Sequence, residues 1–191
     1  MVAFTPREIV DRREIDEIVD AHNKYRTKVA TTYGVRALDP LAWSESLANA
    51  AQKYANETLA KHVIETGELK HSDELSSLGH GENLALYTAG FLSLTGFVDR
   101  WGREELFFVD SPGPDGVYDY PNVANGKIDP ETGLAGVVGH YTQIVWRDTT
   151  LVGCGRVTTI DPDPSGQRRD ILVARYFKRG NIIATPRVPV F

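Results

Sequence analysis

Cysteine is nearly absent from this 191-residue chain, which has only Cys154. One cysteine excludes an intramolecular disulfide. Cys154 lies between Gly153 and Gly155 in a segment that reads as a strand, and a small free thiol in such a setting usually behaves as a core residue. The sequence therefore predicts a buried structural thiol.

Long apolar runs and an excess of basic charge are also missing. No run approaches the roughly 20 apolar residues that a membrane-spanning helix needs. The formal net charge of −5 gives no basic surface for nucleic acid and disfavours adsorption to anionic membranes. Residues 1–6 lack the basic and apolar segments of a secretory signal, so we expect that the protein stays where it is made or begins after a removed signal. The length favours one domain over 1–191.

Apolar residues at helical spacing predict three helices. The first is expected over 5–30, where Thr5-Pro6-Arg7-Glu8 has the form of a helix start. The second is expected from 43 towards 62. The third is expected over 91–108.

The second half of the chain predicts strands. Branched and aromatic residues favour strands at 142–147, 151–160 and 170–176. The long loop-like stretch at 109–138 is more typical of a functional segment than of an idle connection. Helices early and strands late predict an α+β fold with a mostly antiparallel sheet.

Histidines and carboxylates are the candidate chemical groups. His22 lies on the apolar stripe of the first helix and is expected to be a core residue, whereas His71, His80 and His140 lie near loops or element ends. The spacing contains no HExxH motif. Glu104 shares the inward side of its helix with Trp101, where a carboxylate is costly unless a cation, metal or histidine pairs with it.

Several motifs, in order, resemble those of the CAP superfamily, which comprises cysteine-rich secretory proteins, antigen 5 and pathogenesis-related 1 proteins. The resemblance covers the chain from about 15 to 181. The matching segments are HNKYR at 22–26, LAWS and its continuation at 41–55, KHS at 70–72, GENL at 81–84, WGRE at 101–104, GHYTQIVWRDTT at 139–150, GCG at 153–155, and ILVARY with GN at 171–181.

This resemblance implies a fold and a site. The implied fold is a three-layer α-β-α sandwich around a central antiparallel sheet, and the implied cleft residues are His71, Glu82, Glu104 and His140. In the family the two imidazoles can bind a divalent metal, commonly zinc, and the glutamates can hold a metal-bound water or fix the histidine tautomers.

The resemblance also bears on the compartment and on how the chain differs from the family. It implies a secreted protein, although Ala174 stands where the family usually has cysteine and the missing disulfides leave an intracellular setting open. About ten residues, 108–117, look inserted near the cleft.

Three functions remain open at this stage. The preferred one is a non-catalytic binding protein of CAP type, related to defence or virulence, with lipid or sterol held behind an aromatic lip of Phe107, Phe108 and Tyr118. The second is a hydrolase using the four cleft residues, with Ser72 or a zinc-bound hydroxide as nucleophile. The third is a protein-recognition module with an inherited, inactive cleft. The sequence does not indicate an oligomeric state.

Overall fold

A five-stranded sheet forms the centre of the computed structural model, which describes residues 3–108, 127–128, 136–182 and 189–191. The strands are β1 Phe4–Pro6, β2 Ala42–Trp43, β3 Gly81–Thr88, β4 Leu151–Thr159 and β5 Arg169–Phe177. Their order is β1-β4-β5-β3, and β2 pairs in parallel with β4. The other pairings are antiparallel. Because β3 is last in this order, it is an edge strand among the described residues.

Helices cover both faces of this sheet. They are α1 Arg12–Tyr33, α2 Glu45–Tyr54, a π-helical turn Ala55–Leu59, α3 Ala60–Thr66, α4 Leu75–Leu78, α5 Leu94–Gly102, a 3₁₀ turn Arg103–Phe107 and α6 Gly139–Ile144. The second and third predicted helices and the last two predicted strands are confirmed. Strand β3 was not predicted.

The predicted helix start at Thr5 is wrong. Residues 4–6 form β1, in which Phe4 pairs with Thr159. Helix α1 begins after Asp11, whose carboxylate accepts a hydrogen bond from the backbone N–H of Arg13 at 2.7 Å. An aspartate at this position satisfies one of the free N–H groups of the first turn. The helix cap is therefore Asp11 and not Thr5, the residue that the Thr-Pro pattern suggested.

The predicted strand at 142–147 is also wrong, because residues 139–144 form the short helix α6. The guanidinium of Arg26 reaches the end of this helix from α1. It donates hydrogen bonds to the carbonyls of Ile144 at 2.9 Å and Trp146 at 2.8 Å. A distant side chain thus satisfies the Ile144 carbonyl, which the helix end leaves free.

The two helical layers pack on opposite faces of the sheet. Helices α1, α5 and α6 share one apolar core with the sheet, and the α2–α3 region shares a second one on the other face. Gly153 and Gly155 let α2 lie directly on β4, since a Cβ on Gly155 would come within 2.3 Å of the backbone nitrogen of Gln52. The α-β-α sandwich predicted from the resemblance is confirmed.

Two single-residue predictions are confirmed by burial. Cys154 is a free, buried thiol whose pKa is raised by that burial. His22 is buried and lies between the Ile18 carbonyl at 2.8 Å and the Tyr176 hydroxyl at 2.9 Å. Within the described part of the chain, no helix is long and apolar enough to cross a membrane.

Candidate functional site

A groove of about 920 Å³ runs along the outer edge of β3. Its floor is formed by residues 84–87 of that strand. The walls come from the loop before α4, from α5 and the 3₁₀ turn after it, and from α6. The remaining lining residues are Leu69, Arg100, Trp101, Arg103, Glu104, Leu106, Phe107, Lys127, Ile128 and His140. Its volume lies within the range of small-molecule sites.

The first of two histidine–glutamate pairs lies in this groove. Glu104 binds Nδ1 of His140 at 2.6 Å through one carboxylate oxygen. The other oxygen accepts backbone N–H bonds from His140 at 2.9 Å and Tyr141 at 3.1 Å. Glu104 therefore orients the imidazole and also satisfies free N–H groups at the start of α6. Of the cation, metal or histidine partners expected for this inward carboxylate, the structure places a histidine beside it.

The second pair combines His71, in the loop between α3 and α4, with Glu82 of β3. One oxygen of Glu82 binds Nδ1 of His71 at 2.8 Å and accepts the backbone N–H of Ser72 at 3.1 Å. The other oxygen forms an ion pair with Nε of Arg175 at 2.8 Å. The Glu82 side chain is fully buried and Arg175 is 1% exposed, whereas the His71 side chain is 59% exposed. A buried anion thus holds an accessible imidazole.

Both imidazoles meet a carboxylate through the same ring nitrogen. In each, Nδ1 faces a carboxylate, and neither Nε2 has a hydrogen-bond partner among the residues that the structure describes. Donating Nδ1–H to a carboxylate leaves Nε2 as the basic nitrogen with a free lone pair. The His140 ring also stacks on Trp101, with 6.1 Å between ring centroids.

The two pairs approach β3 from opposite faces of the sheet. Glu82 and Arg175 lie on the face covered by α2, where the Arg175 guanidinium stacks on Tyr54. The neighbouring Asn83 points to the other face and donates a hydrogen bond to the His140 carbonyl at 3.1 Å. The approach of His71 to His140 across one cleft stays a prediction. In the described part of the chain, no three His, Cys, Asp or Glu residues cluster so as to hold a metal.

The predicted aromatic lip is only partly present in the groove. Phe107 lines the groove. Phe108 does not belong to a lip, because it is 1% exposed and packs against Tyr141 in the core. Tyr118 and most of the segment predicted to be inserted lie outside the described residues.

The serine proposed as a nucleophile has another partner. The Ser72 hydroxyl accepts the backbone N–H of Glu74 at 3.3 Å. Among the described residues, no hydroxyl is hydrogen-bonded to either Nε2 atom of His71 or His140. The described geometry therefore lacks the nucleophile–base pair of a serine hydrolase.

Sequence reasoning did not identify the cations of the site. Arg175 interrupts the apolar run at 171–176, and a charge inside such a run was a usable signal for a buried partner. Arg100, Arg103 and Lys127 carry no comparable signal, because exposed cations are common on any surface.

Known proteins share this sequence pattern and fold. The profile of the cysteine-rich secretory protein family, CAP, matches residues 19–163. Venom allergen 5 of Vespa magnifica is 31% identical over 87% of this chain and 67% of its own length. Golgi-associated plant pathogenesis-related protein 1 of Homo sapiens is 32% identical over 88% of this chain and 84% of its own. The crystal structure of NaASP2 with Zn²⁺ matches with a TM-score of 0.60 at 18% identity, covering 95% of this chain and 86% of that one.

Proposed function

This chain belongs to the cysteine-rich secretory protein family, and we propose that it is a non-catalytic member that binds an elongated apolar ligand with an anionic group. The binding site is the groove along β3. The observation that carries this proposal is the combination of an apolar floor with cations on the wall. An extracellular setting is proposed on family resemblance alone.

The lining favours a fatty acid over a sterol. Leu86, Leu106 and Phe107 offer apolar surface for a hydrocarbon chain, whose burial is the main source of affinity in such sites. Arg103 and Lys127 are exposed and form no salt bridge within the described residues. A carboxylate would pair with such cations, whereas a neutral sterol would leave them unused.

Replacing Phe107 by alanine should weaken the binding of a fluorescent long-chain fatty acid by about tenfold. Full burial of a phenylalanine contributes about 1.5–3 kcal/mol, and about 1.4 kcal/mol corresponds to a factor of ten. Titration followed by fluorescence measures the effect. Phe177→Ala is the matched control, because Phe177 is exposed at the end of β5 and does not line the groove. Equal affinity of the Phe107→Ala variant and the unmodified protein would contradict the proposed groove.

A second candidate function is zinc binding by Nε2 of His71 and of His140. It is favoured by the carboxylate on each Nδ1, the arrangement commonly found behind zinc-ligating histidines. NaASP2 has been crystallised with Zn²⁺. The donor chemistry fits the metal, but two protein ligands are fewer than the three usual in catalytic zinc sites. The ion would supply a Lewis acid or a bridge to a ligand.

If this site binds zinc in solution, His140→Ala should remove most of the affinity measured by calorimetry. Binding should also weaken as the pH falls, because protons compete with zinc for imidazole nitrogen. His62→Ala is the control, since His62 lies on α3 and takes no part in either pair. Equal zinc affinity of all three proteins would show that the metal binds elsewhere.

A further inference from the structure

The backbone of β3 has one side that faces the groove. Strands β3 and β5 are antiparallel, and the residue after β3, Ala89, donates its N–H to the Arg168 carbonyl at 2.9 Å in the same register. Hydrogen-bonded and non-hydrogen-bonded pairs alternate along such a ladder. The N–H and C=O groups of residues 81, 83, 85 and 87 therefore face β5. Those of residues 82, 84, 86 and 88 face away from it.

Two of the outward-facing carbonyls already have partners. The Trp101 indole N–H donates to the Leu84 carbonyl at 3.1 Å. The Phe91 N–H donates to the Thr88 carbonyl at 3.0 Å. Both bonds agree with the assigned alternation. The indole covers one point of the edge beside the His140–Glu104 pair, and the turn at Phe91 closes its far end.

Between these two points no described residue pairs with the edge. The N–H and C=O of Leu86 have no hydrogen-bond partner among the residues that the structure describes, and Leu86 lines the groove. A strand edge with a free donor and acceptor is a template for another strand. Backbone pairing of this kind gives affinity in strand-addition complexes, and side-chain pockets give specificity.

The charges beside this edge select the kind of strand. Arg100, Arg103 and Lys127 line the groove, and none of them forms a salt bridge within the described part of the chain. Glu104 is the only carboxylate among the described lining residues, and it is engaged by His140. Within the described residues the groove therefore carries positive charge without a carboxylate partner, although Arg100 lies over the Tyr87 ring at 5.5 Å and the whole chain has a formal charge of −5.

From these observations we propose that the groove accepts an extended acidic peptide segment of a partner protein, which adds to the sheet beside β3 and pairs with the backbone of Leu86. This inference rests on the proposed function only in using the same groove. A fatty acid would use the cations and the apolar lining but not the backbone groups. The two occupants therefore compete for the groove and depend on different atoms.

The test uses a blocked synthetic peptide of alternating aspartate and valine with the length of β3, eight residues. Two further versions carry N-methyl groups on either the odd or the even residues. A strand presents alternate N–H groups to each neighbour, so one methylated version should bind about tenfold more weakly and the other should bind like the parent. The factor corresponds to losing about one backbone hydrogen bond. A peptide with lysine in place of aspartate should not bind measurably.

Variants of the protein check the same contact from the other side. Leu86→Pro removes an N–H that is not part of the β3–β5 ladder, and proline is tolerated at such edge positions. Leu86→Pro should weaken binding of the acidic peptide by about tenfold. Leu86→Val keeps the N–H and should leave the binding unchanged. Arg103→Glu should weaken binding of the acidic peptide and strengthen binding of the lysine peptide. The methylated peptides require no variant and decide the question if Leu86→Pro misfolds.

The outcomes separate this inference from the proposed function. Equal binding of both methylated peptides, or no binding of the acidic peptide, overturns strand addition. Fatty-acid binding in either case leaves the proposed function standing. Peptide binding with the expected alternation, together with no fatty-acid binding, supports strand addition and overturns the proposed ligand.

Discussion

Replacing Arg26 by methionine is expected to lower the free energy of unfolding by about 3–5 kcal/mol, the range for leaving buried polar groups uncompensated. Arg26 is 1% exposed. Besides the Ile144 and Trp146 carbonyls, its guanidinium binds those of Asp39 at 2.8 Å and Thr149 at 3.2 Å. Methionine fills much of the volume but offers no donor, so four carbonyls lose the guanidinium, and only that of Trp146 keeps a second donor, the Thr149 N–H at 3.2 Å, within the described residues.

Chemical denaturation followed by circular dichroism measures this loss. Arg12→Met is the control, because Arg12 is on the same helix and its side chain is 86% exposed in an ion pair with Asp16. Exposed pairs contribute little, so this variant should change stability by less than about 0.5 kcal/mol. A similar small loss for Arg26→Met would mean that water replaces the guanidinium, contrary to its structural role.

Acid should destabilise the protein through His22 by up to about 3 kcal/mol between about pH 6.5 and pH 4. Burial lowers the pKa of His22 from 6.5 to about 4, even though its bond to the Ile18 carbonyl favours the protonated form. Nearby Arg26 lowers the pKa further. Below pH 6.5 the unfolded chain takes up the proton first, so stability is complete above that pH and is lost as the pH falls towards 4.

Denaturation curves at a series of pH values test this expectation. Carboxylates also titrate in acid, so the informative quantity is the difference between the unmodified protein and His22→Gln, which shares all carboxylates. The variant should be less stable near neutral pH, because it disturbs the bonds of His22 to Ile18 and Tyr176. Its stability should nevertheless fall less steeply with acid. Parallel curves would show that His22 does not titrate differently in the folded and unfolded states.

The wrong predictions about the fold have long-range physical causes. Residues 142–147 have strand-forming side chains, but the carbonyls that end α6 are satisfied by Arg26, 118 positions away from Ile144. Likewise, Thr5-Pro6 has a local helix-start pattern, yet β1 gains its pairing from β4 at the other end of the chain. The second and third helices were predicted, and so was the body of the first, because apolar spacing is a local property.

The motifs predicted which residues belong to the candidate site but not how these residues pair. The motifs identified His71, Glu82, Glu104 and His140, but they did not show which histidine each carboxylate holds. That pairing depends on which face of β3 each side chain occupies, and β3 was not predicted as a strand. Phe108 could not be separated from Phe107 by sequence, because adjacent aromatic residues fit a lip and a core equally well.

The open edge of β3 also bears on how this protein behaves in concentrated solution. Two copies can offer each other the same free strand edge, which is a common route to aggregation. A two-fold arrangement of such copies would bring the cations that line the groove, Arg100, Arg103 and Lys127, towards those of the second copy. Repulsion between the two sets of cations opposes polymerisation. The same cations attract an acidic segment to this edge. The solubility of the protein and the selectivity of the β3 edge for acidic segments therefore depend on the same three side chains.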